Sequence, residues 1–481
     1  MTHLPLALDL YRRGRHAEAE AACRRIPEGH PEFPAGLYLR GVVARDRGDL
    51  PKAIGLLRDA IDLDRGNPIF HSTFAAVLEE AGREAEAVAP YRRALALGHR
   101  PAQTALALGR LLGRLGRREE AAAALAASLD ADPGHPETHL ELGDLRRSLG
   151  DPRGALAAYD AGLSLAPDHP ALHGHRALAL LLLGDLKGGF AEYEWRWRDP
   201  AFRSTPLPPD VPPWRGEPLA DRTLRLVAEQ GFGDTFQFLR YASLAAERGA
   251  RVQVLCQPKL VPLAATVPGV VAARAFGEEL APADFQIAMM SLPARFGTGA
   301  DDVPAPIPYI HPPPERIAYW KNRLASLPGR KLGLVWRGAT STGRAFARAD
   351  ALRAADLAPL PSLPDVTVIS LQKDPEPAEL AELPGILHLE EAVATFAETA
   401  AALKAVDLLV SIDTATVHLA GAMGVPARVL LVPVHDWRWM LGRDDSPWYP
   451  SVRLHRRGRD EDWAEAVRRL CRDLDRSGMQ S

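Results

Sequence analysis

Cysteine is scarce. Cys23, Cys256 and Cys471 lie far apart and form no CxxC pair, so neither a disulfide framework nor a structural zinc site is supported and a reducing compartment fits best. No apolar run approaches the roughly 18 residues that a membrane-spanning helix needs. The N-terminus, MTHLPLALDLYRRGRHAEAEAA, turns charged early, unlike a secretory leader. A cytoplasmic protein without an integral membrane segment is expected. There is no long Lys/Arg block either, and 58 basic against 61 acidic residues give a formal charge of −3. This argues against a nucleic-acid binder driven by phosphate neutralisation. No Gly-x-Ser-x-Gly elbow, HExxH pair or kinase signature occurs, which removes the commonest hydrolase and kinase readings.

What the sequence does have is a period. Glycine recurs at Gly14, Gly48, Gly82, Gly116, Gly150 and Gly184, each 34 residues after the last. In the same register stand Ala19, Ala53, Ala87, Ala121, Ala155 and Gly189, and before each glycine Ala7, Gly41, Ala75, Gly109, Gly143 and Ala177. Two antiparallel helices approach closely only where side chains are small, and a glycine between them can end the first helix in a left-handed turn. Large residues such as Leu142, Leu145, Leu156 and Tyr159 would fill the space around the crossing. The period and spacing resemble the tetratricopeptide repeat, with Pro133 and Pro167 where repeats end. Such repeats stack into an α-solenoid whose concave face suits a protein or peptide partner; the alternative is an array that only supports the second half or makes a homodimer. The histidine pairs His135/His139 and His173/His175 lack a nearby third ligand and are read as solvated, not metal-binding.

The solenoid is assigned to residues 1–198. A proline-rich linker, 199–221, follows, too dense in proline for a regular helix and expected to lie along the catalytic surface. Trp195, Trp197 and Trp214 are read as packing anchors. Then the rhythm becomes strand, turn, helix. TLRLVAE, RVQVLCQ, DFQIAMM, KLGLVWR, VTVISLQ, DLLVSID and ARVLLVP alternate with helical stretches such as TFQFLRYASLAAERG and FAETAAALKAV, the pattern of α/β lobes with parallel sheets. The proline-rich run DDVPAPIPYIHPPPERIAYW divides them into lobes at 222–315 and 316–481. Ligands of open α/β sheets sit outside the carboxyl ends of the strands.

Two segments carry chemistry. Gly231-Phe232-Gly233-Asp234-Thr235-Phe236 fails the dinucleotide fingerprint, because Phe236 replaces the third glycine, and it lacks the Gly-Lys-Ser/Thr ending of a P-loop. It leaves a tight turn with Asp234 at a helix entrance. There Asp234 either caps the helix or takes a proton from a hydroxyl nucleophile. In SIDTATVHLAG, a strand ends at Asp413-Thr414 and a helix begins. Its free N–H groups, with Thr414 and Thr416 beside them, favour a phosphate-sized anion. His418, one turn in, either adds a ring N–H or packs on the helix.

AEQGFGDTFQFLRY, GLVWRGATS, SLQK, SIDTATVHLAGAMGVPARVLL and DWRWMLGRDDSPWYPSVRLHRR, in this order, resemble the heptosyltransferase-related, family 9-like glycosyltransferases of GT-B fold, in the branch with an N-terminal tetratricopeptide array. The resemblance implies two Rossmann-like lobes around a cleft and transfer of a sugar from a nucleotide-sugar donor, with no metal and no separate cofactor. Asp234 matches the aspartate held to be the general base. Asp413, Thr414 and His418 match the motif that receives the donor diphosphate and sugar, with Thr416 beside it. Trp336 to Ser341, including Arg337, match a donor-contacting loop, and Gln372 with Lys373 match the strand end beside the nucleotide. Arg337 or Lys373, His418 and the helix start would stabilise the leaving phosphate. Asp444-Asp445 falls in the family's RDDSPWYPS turn, where a structural role is expected instead of a metal site. The chain departs from the pattern after GLVWRG, where it reads ATSTGRAFARAD with Arg344 and Arg348.

Three functions follow from the resemblance. The first is an enzyme that glycosylates Ser or Thr of a protein, for example flagellin, captured by the repeats. The second is a lipopolysaccharide or glycolipid sugar transferase whose repeats recruit a partner. The third is a non-catalytic scaffold. The last helix is expected to pack back on the first lobe.

Overall fold

The computed structural model describes residues 3–202, 207–304, 307–338 and 351–477. The expected contacts of Ser341, Arg344 and Arg348 lie outside the described residues. The chain forms two compact units, Met1–Leu172 and His173–Ser481. The division therefore falls ahead of residue 198, inside the first helix of the sixth repeat.

In the first unit five helix pairs follow one another: His3–Arg12 with His16–Cys23, Phe33–Asp46 with Leu50–Leu63, Pro68–Glu80 with Glu84–Ala96, Pro101–Arg114 with Arg118–Ala131, and Pro136–Ser148 with Pro152–Leu165. Each joint is one of the periodic glycines, with φ between 67° and 78°. The next residue donates its N–H five residues back, as Arg15 does to Leu10 O at 2.9 Å and Asp151 to Arg146 O at 2.9 Å. This is the Schellman closure, which needs the left-handed glycine. The small positions are where backbones meet. Ala7, Ala19, Ala53, Ala75 and Ala87 are fully buried, and a Cβ on Gly143 would stand 2.2 Å from Tyr159 Cε1. Neighbouring pairs are joined by recurring polar contacts, such as Tyr11 to Asp46 at 2.8 Å and Arg110 to Glu141 at 2.6 Å. His135 and His139 do not converge: His135 Nδ1 lies 3.2 Å from Glu137, and His139 Nε2 lies 3.4 Å from the Pro133 carbonyl.

The second unit begins within the sixth pair, Pro170–Leu183 and Leu186–Tyr193, and contains all of it from His173 on, closed by a 3₁₀ turn, Glu194–Arg198. His173 stacks on Trp195 with ring centroids 3.8 Å apart and bonds Glu192. The proline-rich segment then runs along a sheet edge. Trp214 N donates to Gln286 O at 2.7 Å, and Gln286 N donates to Pro212 O at 2.9 Å.

Two parallel sheets follow. The first has the order β3-β2-β1-β4, from β1 (Thr223–Val227), β2 (Arg251–Cys256), β3 (Val270–Ala275) and β4 (Phe285–Ala288). The second has the order β10-β9-β8-β5-β6-β7, from β5 (Arg330–Val335), β6 (Val366–Ser370), β7 (Leu387–His388), β8 (Leu408–Ile412), β9 (Ala427–Leu431) and β10 (Val452–Arg456). The seven expected strands are β1, β2, β4, β5, β6, β8 and β9. The last helix, Trp463–Ser477, corrects one expectation. Its stripe Trp463, Val467, Leu470 and Leu474 shares one buried apolar cluster with Leu332, Leu334, Val368 and Leu408 of the second sheet, and no residue of the first lobe belongs to that cluster, so burial of its apolar stripe ties it to the second lobe. No helix among the described residues is long and apolar enough to cross a membrane.

Candidate functional site

The site is built where strands of both sheets end. From β1 the chain turns through Glu229-Gln230-Gly231 into the helix Phe232–Phe238. Asp234 is the third residue of that helix, and its Oδ2 accepts the Gly231 N–H at 2.9 Å, so the capping role exists. Its other oxygen, Oδ1, accepts from Arg438 Nη2. Arg438 comes from the second sheet's side, on the turn Trp437–Trp439 after β9. Its Nε donates to Gln237 Oε1 at 2.9 Å and its Nη1 to Asp436 Oδ1 at 2.7 Å. Burial disfavours this guanidinium, but Asp234 and Asp436 outweigh it and hold its pKa above the ordinary arginine value. The turn that delivers it is strained. Met440 has φ 47° and ψ 180°, a backbone state rare outside glycine that is often found near functional sites. Its carbonyl accepts from His435 Nε2 at 2.7 Å and Arg456 Nη2 at 2.8 Å.

The opposite wall is the helix Ala415–Ala422, which follows β8. Thr414 is its N-cap residue in extended backbone, yet makes no side-chain cap. The Thr414 hydroxyl instead meets Ser411 Oγ at 3.1 Å. Thr416 stands partly exposed at the same helix start. His418 is buried and fixed on three sides: Nδ1 is 3.0 Å from Tyr449 Oη, the ring stacks on Trp439 at 5.3 Å, and Nε2 is 3.6 Å from Asp413 Oδ1. The last distance is too long for a hydrogen bond. Desolvation by its neighbours pushes the Asp413 carboxyl up although its side chain is still 36% exposed, and His418 and Trp439 together bring it below the usual range. Gly233 brings the two walls into contact, since a Cβ there would stand 2.8 Å from His418 Cδ2.

The ends of β5 and β6 lie beside this wall, and Gly338 faces Thr414. Gln372 is buried and fully used as a clasp. Its Oε1 accepts Trp336 N at 3.1 Å and Arg337 N at 2.9 Å, and its Nε2 donates to the carbonyls of Arg337 and Lys373 at 3.1 Å each. Trp336 is buried in the sheet's core. Arg337 pairs with Glu379 at 3.0 Å and Lys373 with Asp374 at 3.0 Å, so each expected phosphate partner has an acid of its own. Asp445 pairs with Arg443 at 2.7 Å within its turn. Among the described residues no three His, Cys, Asp or Glu side chains form a metal-ion cluster.

The structure thus brings Gly231, Gly233, Asp234, Asp413, Thr414 and His418 to one place. It adds Arg438, Trp439, Gln237 and Tyr449, which reading the motifs did not single out. Arg438 and Trp439 lie in the dense aromatic and arginine run DWRWM, whereas Gln237 and Tyr449 carry no local signal that marks them.

Residues 4–68, 106–170 and 140–196 match the tetratricopeptide repeat model. Protein FlbA of Caulobacter vibrioides is 29% identical over 274 residues, which are 50% of this chain and 44% of that protein. The chain therefore matches less than half the length of that relative. Among solved structures, a tetratricopeptide repeat protein from Parabacteroides merdae covers 41% of this chain and 78% of its own at 18% identity and TM-score 0.37. The type IV pilus biogenesis factor PilW covers 41% and 90% at 20% identity and TM-score 0.35. The first part of the chain is a tetratricopeptide-repeat array, as its glycine joints and the matching repeat model agree.

Proposed function

We propose that the second unit is a metal-independent glycosyltransferase of GT-B type, and that the repeats present it with a protein acceptor. The observation that carries this reading is the meeting of two unlike elements across Gly233 and His418. One is an acidic turn after β1. The other is a helix start after β8 that carries no side-chain cap. Uncapped N–H groups and the helix dipole suit a diphosphate, and a carboxylate opposite suits the acceptor hydroxyl. Arg438 would trade Asp234 for the donor's phosphate oxygens, taking the place first assigned to Arg337 or Lys373. That exchange would free Asp234 to take the acceptor's proton and would stabilise the leaving group without a metal.

The acceptor reading leans on the repeats, whose stacked helices offer a surface for a peptide; a Ser or Thr of a protein such as flagellin is the acceptor we favour, and the cytoplasm the compartment. A repeat scaffold without catalysis is the second reading, favoured by the double engagement of Asp234 as cap and ion-pair partner. Titration with nucleotide sugars, followed by thermal melting of the full chain, separates them. The transferase reading expects a nucleoside diphosphate sugar to raise the melting temperature, and Thr414→Val with His418→Ala to remove that rise. If no nucleotide sugar stabilises the chain more than inorganic phosphate does, the scaffold reading stands.

A further inference from the structure

Apart from the contact of Gly233 with His418, a buried and fully bonded charged pair in the second unit joins the sixth helix pair to the Asp234 turn. Arg196, in the turn Glu194–Arg198, grips Glu229 with Nε and Nη2, both at 3.0 Å. Its side chain is 2% exposed and that of Glu229 1%. The rest of the guanidinium donates to Tyr193 O at 3.1 Å, Glu194 Oε1 at 2.7 Å and Ser291 Oγ at 2.8 Å. Arginine's five N–H groups match these five bonds; an ammonium, with three, cannot. Glu229 also accepts the Met290 N–H at 2.9 Å. The next residue is held from the same side, since Gln230 Nε2 donates to Tyr193 Oη at 2.7 Å. Gln257 completes the hold, donating to Gln230 O at 2.6 Å and accepting from Thr235 Oγ1 at 3.0 Å.

We propose that Arg196, with Tyr193, is a positioning residue for Asp234, and that the end of the sixth repeat is a working part of the catalytic half instead of a detachable recognition module. The proposal rests on the transferase reading for its effect on rate. A buried bidentate pair aligns as well as stabilises. It holds Glu229, and Tyr193 holds Gln230, the first two residues of the turn, so a shift of this grip displaces Asp234 while the donor wall around Thr414 stays in place.

The test uses the full chain carrying Arg196→Lys, with hydrogen exchange and steady-state kinetics measured together. Amides of residues 229–235 are expected to exchange about tenfold faster, with residues 408–422 unchanged. The turnover number should fall by about 10²-fold, as expected for a small misplacement, with the KM for the nucleotide sugar unchanged. Tyr193→Phe, which removes only the bond to Gln230, should produce the same pattern in milder form and serves if Arg196→Lys does not fold. Wild-type exchange in residues 229–235 for the folded variants, or an equal rise across both sheets, overturns the proposal. A loosened turn in a protein that transfers no sugar supports the positioning role and counts against the transferase reading.

Discussion

Replacing Gly233 with alanine tests whether the two walls of the site touch as described. The added Cβ would stand 2.8 Å from His418 Cδ2, closer than carbon atoms approach. The ring has no easy way out, because Tyr449 holds Nδ1 at 3.0 Å and Trp439 stacks on its face. Overpacking of this kind costs about 1–3 kcal/mol. Alanine returns at most about 1 kcal/mol of helix propensity, less in a first turn, so a net loss of about 1–2 kcal/mol is expected. All nine tryptophans lie between residues 195 and 463. Tryptophan fluorescence in a urea titration therefore reads the second unit without the first five helix pairs. In a His418→Ala background the clash has nothing to meet, and Gly233→Ala becomes neutral or slightly stabilising. The coupling energy of the double-mutant cycle, which isolates the clash, is then about 1–3 kcal/mol. Equal effects of Gly233→Ala in the two backgrounds would refute the contact.

Asp234→Asn is expected to abolish sugar transfer, read as product by chromatography. Because Arg438 is buried against Asp234 and keeps Asp436, the variant should also lose about 1–3 kcal/mol of stability, so turnover must be compared well below its melting temperature. His455 is half-buried, and this desolvation with Arg428 nearby pulls its pKa from 6.5 to about 4. Above pH 6.5 both states are neutral. As pH falls from there the unfolded chain takes the proton first, and stability declines by up to about 3 kcal/mol until pH 4. His455→Gln should flatten that limb in urea midpoints measured against pH, and an unchanged limb would contradict the assignment. Deleting residues 1–190 removes Leu181, Leu182, Leu186 and Phe190 from the core of the second unit. Such a chain should melt earlier or fail to fold, whereas one that begins at residue 167 should keep the unit's unfolding transition.

The repeats were fully legible, since a left-handed joint and a close helix crossing each restrict residue type at a fixed spacing. Seven strands were legible as β-branched runs. β3, VVAARA, was hidden by alanine, and β10, VRLHR, by charges that alternate with its apolar residues. β7 has only two residues and leaves no pattern. Asp234 and His418 could be found because turn and helix-start chemistry is local. Arg438 and Arg196 could not, because what places them is the ion pairs they make with partners 204 and 33 residues away. An arginine that will be buried looks in sequence like one that will be solvated. The last helix was misassigned for a related reason: its apolar stripe is plain, but nothing local says which sheet face it covers.

Sugar transfer itself is the most direct test of the central claim. Proteins that co-purify with the full chain would be incubated with it and a panel of nucleotide sugars, then examined by intact-protein mass spectrometry. The account predicts that one nucleotide sugar adds a hexose-sized or related mass to Ser or Thr of a bound protein, and that Asp234→Asn and His418→Ala each abolish the addition. An unmodified partner with every donor, or modification that persists in both variants, would contradict it.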